Sequence, residues 1–103
     1  MKTVMINNPE IQINDVKKLV SPVIKKYHVK RAALFGSLVR GELTESSDID
    51  FLVEFQGRRS LLDLVGLKLE LEEVLGRKVD VLTYNSLHPL LRERILSEEV
   101  VIL

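Results

Sequence analysis

Cysteine is absent from this 103-residue chain, so neither a disulfide frame nor a thiolate metal site is available to it. Surplus charge is absent as well: Lys plus Arg and Asp plus Glu each total 15, for a net charge of zero. That balance argues against a general nucleic-acid coat protein, whose affinity rests on excess positive charge, so no strong nucleic-acid binding is expected. No apolar run approaches membrane-spanning length, and Met1 to Asp15 lacks the long apolar core of a signal peptide. No membrane association is expected, and a cytoplasmic location is the default. What is present is a 46% hydrophobic content, which suits one compact domain over residues 1–103. A domain of this size buries roughly two thirds of its unfolded surface, enough for a real core.

Along the chain, residues 1–12 read as a loosely structured lead-in with a turn signal at Asn7-Asn8-Pro9. Asn14 is the expected cap of a helix to about Tyr27, with Val16, Leu19, Val20, Val23 and Ile24 at helical spacing. Ser21-Pro22 predicts either a kink or a second short helix there. A strand over Arg31–Phe35 ends at Gly36, Ser37 to Gly41 forms one helical turn, and Asp48–Phe55 is a second strand rich in β-branched and aromatic residues. Ser60 with Asp63 three residues later marks a capping box for a helix to Leu75, closed by Gly76. Arg77–Thr83 alternates as a third strand, with Val79, Val81 and Thr83 on one face and Asp80 and Leu82 on the other. Ser86 is the expected cap of a last helix to about Leu96, and Val100–Leu103 either adds a short edge strand or packs. The order of elements predicts an α/β (α+β) domain with a small mixed β-sheet flanked by helices.

Chemistry concentrates at Gly36-Ser37 and, ten residues on, at Asp48-Ile49-Asp50. Carboxylates at i and i+2 of a strand share a face, and a pair about 5–7 Å apart suits hard divalent cations, which take oxygen ligands. Ile49, Phe51, Leu52 and Val53 surround them, and an apolar setting requires each carboxylate to be paired, hydrogen-bonded or bound to metal. For a bare D-x-D the bland account is the commoner one: Asp48 ends a loop and Asp50 pairs with Arg31 or Arg40. If the second and third strands are neighbours, Asp80 faces the same site. Three converging carboxylates match the ligands of a two-magnesium centre, in which one ion activates an attacking oxygen and the other holds a triphosphate. Gly36 permits close backbone approach, and Ser37 offers an N–H at a helix start and a hydroxyl, for a phosphate or simply for a turn. Arg40 either reaches a phosphate or pairs with Glu42 or Glu45; Glu42 itself reads as a solvated loop residue.

Leu34-Phe35-Gly36-Ser37-Leu38-Val39-Arg40-Gly41-Glu42 followed by Ser46-Ser47-Asp48-Ile49-Asp50-Phe51-Leu52-Val53 resembles the minimal nucleotidyltransferase (MNT) domain of the polymerase-beta-like superfamily. The resemblance covers nearly the whole chain, including Gly76 to Leu82 and Leu87-His88-Pro89 to Leu96. It implies a mixed sheet flanked by helices, Gly36 and Ser37 on the nucleotide phosphates, and Asp48 and Asp50 as magnesium ligands. It also implies that Asp80 is the third carboxylate, helping to activate an acceptor hydroxyl. Members of this size typically accompany a HEPN ribonuclease toxin and act as its antitoxin, some by moving AMP from ATP onto a tyrosine of that toxin.

The length adds its own expectation. Larger nucleotidyltransferases hold their acceptor with a second domain, for which 103 residues leave no room, so the acceptor surface should come from a partner or from a second copy in a homo-oligomer. The helix over Ser60–Leu75 carries apolar residues around more than one stripe, which predicts an interaction surface or a helix covered on two sides. Two further functions remain open at this stage: a non-catalytic module that neutralises its partner by masking it, and a nucleotidyltransferase acting on a small molecule. His28 and His88 match no metal pattern, Tyr27 and Tyr84 read as core or rim aromatics, and Lys25, Lys26, Lys30 and Arg31 read as a solvated basic face.

Overall fold

In a computed structural model that describes residues 12–103, the strands form one four-stranded sheet in the order β3-β2-β1-β4. The chain runs α1 (Ile13–Lys26), β1 (Val29–Phe35), α2 (Ser37–Arg40), β2 (Ile49–Phe55), α3 (Leu61–Leu75), β3 (Val79–Thr83), a 3-10 turn (Tyr84–Ser86), α4 (Pro89–Glu98) and β4 (Val100–Val101). β1 pairs antiparallel with β2 and β4, whereas β2 and β3 run parallel, so the sheet is mixed as the element order predicts. The expected lead-in falls almost entirely outside the described residues.

Strand alternation divides the core between the two faces. Ile49, Phe51 and Val53 of β2, with Ala32, Leu34, Val79 and Val81, pack under α1 and α3, which contribute Val16, Val20, Val23 and Ile24 and Leu67, Leu71 and Leu75. On the other face Ala33, Phe35 and Leu52 pack against Tyr84, Leu87 and Ile95, so α4 and the 3-10 turn cover part of that side. The two long helices are joined through Glu70, which takes Lys26 Nζ at 2.6 Å and the Tyr27 hydroxyl at 3.0 Å.

Several boundaries differ from the sequence expectation. α1 is capped by Gln12, whose backbone N–H donates to Asp15, and Asn14 lies inside the helix. α1 also runs unbroken through Pro22. The missing proline N–H leaves only the exposed Lys18 carbonyl to water, while the Ser21 hydroxyl occupies the neighbouring Lys17 carbonyl at 2.7 Å. At α4 the cap is His88, whose Nδ1 accepts the Leu90 N–H, because Ser86 is used inside the 3-10 turn on Thr83. The Ser60–Asp63 capping box forms, and Gly76 ends α3 in the left-handed region at φ 66°. α3 is covered on one side only: Leu61, Leu62, Val65 and Leu69 stand exposed, Leu62 at 81%.

Candidate functional site

The site is built on one row across the sheet. Register places Phe35 opposite Asp50 on the β1–β2 ladder and Asp50 opposite Asp80 on the β2–β3 ladder. Asp50 and Asp80 are therefore side by side on the face opposite the α1–α3 core, and Asp48 is one residue before β2 rather than inside it. Asp50 is half-buried, while Asp48 and Asp80 are exposed. Burial pushes the Asp50 carboxyl up to about 6, and the charges of Asp80 and then Asp48 push the same way, against a weaker pull from Arg40. Asp50 is thus the carboxylate on which the other two act.

Gly36 follows directly from that row. It leaves β1 at φ 80°, ψ −151°, a conformation that favours glycine, and a Cβ there would run into Asp50 Oδ2. The chain then enters α2, with the Arg40 N–H donating to the Gly36 carbonyl at 3.1 Å. Ser37 opens that single turn, as expected. Arg40 pairs with Glu42 at 2.9 Å and, unforeseen, with Glu98 of α4 at 2.8 Å. Its pairing with Asp50 or with Glu45, both weighed from the sequence, does not occur.

Asp48 is set by a residue that the sequence offered only as the start of the third strand. Arg77 Nη2 donates to the backbone carbonyls of Thr44 (2.5 Å), Ser47 (2.7 Å) and Glu45 (3.2 Å). One guanidinium thereby holds the loop that delivers Asp48. Within the loop Ser47 Oγ accepts the Thr44 N–H at 2.9 Å, and at the start of β3 the Val79 N–H donates to Glu72 at 3.0 Å. No local pattern announces Arg77, since its partners are carbonyls some thirty residues away, the Ser47 carbonyl at a separation of 30. A cleft of about 400 Å³ lies beside Asp48, lined by Ser46, Ser47, Gly76, Arg77 and Lys78. A larger one of about 630 Å³ lies toward the other end of the sheet, by Arg31, Glu54, Tyr84 and Arg92.

The arrangement matches a known family. The model of the nucleotidyltransferase domain fits residues 16–102. This chain is a member of the nucleotidyltransferase family. A relative from Methanocaldococcus jannaschii, provisionally named a protein adenylyltransferase, is 60% identical over 93 residues, covering 90% of this chain and all of the relative. The protein adenylyltransferase MntA of Thermococcus cleftensis is 40% identical over 76 residues, 74% of this nucleotidyltransferase and 77% of that one. Among solved structures, one provisionally described as a minimal nucleotidyltransferase is 36% identical at a TM-score of 0.76, covering 90% of this chain and 98% of its own. A Shewanella oneidensis complex of a tri-AMPylated HEPN toxin with its MNT antitoxin shares the fold at a TM-score of 0.68 and 16% identity, over 87% of this chain and 71% of that one. The fold and the nucleotidyltransferase activity expected from Gly36-Ser37 and Asp48-x-Asp50 therefore stand.

The donor set suits magnesium in kind, being all carboxylate oxygen, and the like-charge crowding around Asp50 is what a divalent cation relieves. As positioned, though, no three acidic or histidine side chains among the described residues close into a coordination sphere.

Proposed function

We propose that this nucleotidyltransferase moves AMP from ATP to a hydroxyl of a protein partner, most simply a tyrosine of a HEPN-type toxin, and so acts as that toxin's antitoxin in the cytoplasm. The observation that carries the reading is the Phe35–Asp50–Asp80 row, which sets two carboxylates beside the Gly36-Ser37 turn, with Asp48 close enough to push on Asp50 from just before β2. Relatives named protein adenylyltransferase, and a fold shared with an AMPylated HEPN–MNT complex, support the choice of acceptor.

Gly36, Ser37 and Arg40 would hold the triphosphate: Gly36 brings backbone close, Ser37 offers N–H and hydroxyl, and Arg40 supplies charge-assisted donors. The acceptor oxygen attacks the α-phosphorus, its proton passes to the Asp80 carboxylate, and the bond to the bridging oxygen breaks to release pyrophosphate. Asp48, Asp50 and Asp80 are the residues that would hold magnesium, up to two ions, which lowers the pKa of the acceptor hydroxyl and neutralises the leaving group. The acceptor itself must be presented by the partner. The exposed Leu61, Leu62, Val65 and Leu69 on α3 are a suitable surface for that contact.

The test is incubation with ATP, magnesium and the partner protein, followed by intact mass measurement. Addition of one or more AMP masses to the partner is expected, and the Asp48→Asn, Asp50→Asn double variant should add none. Unchanged labelling by that variant would falsify the mechanism. The same exposed apolar face favours one rival, neutralisation by masking alone. In that case the double variant still protects against the partner's activity although it transfers nothing.

A further inference from the structure

Glu98 is absent from every motif noted above, yet its carboxylate lies where the nucleotide phosphates would be expected. One oxygen, Oε1, accepts the Gly36 backbone N–H at 2.5 Å and Arg40 Nη1 at 2.8 Å. The side chain is only 16% exposed, so it is held rather than waving in solvent. A carboxylate oxygen and a non-bridging phosphate oxygen ask for the same thing, charge-assisted donors at hydrogen-bond distance. Glu98 has taken two of those donors already.

Its position is electrostatically unfavourable in two ways. It is the last residue of α4, where the negative end of the helix dipole disfavours a carboxylate. Its charge also adds to the crowding that raises Asp50. Among the described residues, Gly36 and Arg40 alone hold it there. The next residue is fixed independently: Glu99 accepts the Tyr84 hydroxyl at 2.6 Å and pairs with Arg31 at 3.2 Å. The Glu98 side chain can therefore swing out by rotation about its own bonds while α4 and β4 stay in place.

We infer that Glu98 is an internal competitor for the phosphate seat, and that a nucleotide binds by displacing its carboxylate from Gly36 and Arg40. The inference rests on the reading of Gly36, Ser37 and Arg40 as that seat. A tethered carboxylate acts at an effective concentration in the millimolar range, so a ligand must bring more negative charge than one carboxylate to win. The seat then selects polyphosphates over nucleosides and stays filled when no nucleotide is present.

The experiment compares wild type with Glu98→Ala and Glu98→Asp, using magnesium-ATP titrations and the Gly36 amide proton resonance in the free protein. The aspartate keeps the charge but is one methylene too short to reach both donors. Expected is an upfield move of the Gly36 amide in both variants, with ATP binding tightened about 3–10-fold in both, as removal of an occupied competing state requires. An unmoved Gly36 amide in Glu98→Ala overturns the contact. A moved amide with unchanged or weaker ATP binding overturns the competition and leaves the nucleotide site standing. Tightening in Glu98→Ala alone, with Glu98→Asp like wild type, also overturns it, because loss of charge then explains the gain. If no form binds magnesium-ATP, the nucleotide reading fails and the competition falls with it.

Discussion

The two faces of the sheet are made by alternate residues of the same strands and obey different rules. On β2, Ile49, Phe51 and Val53 are fully buried beneath α1 and α3, whereas Asp50 and Glu54 point the other way. On β3, Val79 and Val81 join the first set and Asp80 the second. The closed face is satisfied by apolar packing and needs nothing more. The other face collects carboxylates that repel one another, with α4 covering only part of it. Stability is concentrated on one side, and unresolved charge on the other.

Four changes would break or sharpen that contrast, the largest first. Asp50→Asn should lower nucleotidyl transfer by more than about 100-fold, since even groups that only support a metal ligand cost 10–100-fold when lost. The same variant should raise the melting temperature of the metal-free protein at pH 7–8, because it removes a carboxylate that the fold holds ionised at a cost. A fall in both activity and melting temperature would show that Asp50 is structural. On the closed face Phe51→Ala should cost about 3–5 kcal/mol, seen as a large fall in the denaturation midpoint. Arg77→Ala should reduce transfer about 10–100-fold through the loop that carries Asp48, with Asp48→Asn in the same background adding little. Additive losses would separate Arg77 from Asp48. Leu62→Asp, on the exposed side of α3, should leave the melting temperature within about 2 °C, as surface changes do, while weakening partner capture in a pull-down.

The pH dependence follows from the same asymmetry. The folded-state pKa of Asp50 is raised from 3.8 to about 6, so the native protein holds a proton that the unfolded chain has released. Its contribution favours folding most below pH 4 and declines as pH rises through about 6, the reverse of an ion-paired aspartate. Thermal melts of the metal-free protein, compared with Asp50→Asn between pH 4 and 8, should converge at the acid end, diverge between about pH 4 and 6, and keep a constant gap above that.

Sequence made the closed face and most of the carboxylate row readable, because both depend on local spacing. The alternation in Ile49–Val53, the capping box at Ser60–Asp63 and the terminal Gly76 are each visible within a few residues. The partnership of Asp50 with Asp80 was readable only as a condition, since it required β2 and β3 to be neighbours. Arg77 and Glu98 were not readable. Each acts on backbone groups far along the chain, and neither sits in a pattern of its own. The caps at Asn14 and Ser86 went wrong for a related reason: several residues able to cap stand close together, and the surrounding turn decides which is used.

Gly36 has a consequence for how this chain can drift. A side chain at that position is blocked by Asp50 Oδ2 as well as by the positive φ. Shrinking Asp50 removes the first obstacle and leaves the second, a backbone region at φ 80°, ψ −151° that is essentially confined to glycine and costs any other residue about 1–3 kcal/mol. Asp50 can therefore change alone, whereas Gly36 can change only after Asp50 has become smaller. On the function proposed above, a descendant that survives as a masking protein is free to lose both, whereas one that still modifies its partner should lose neither.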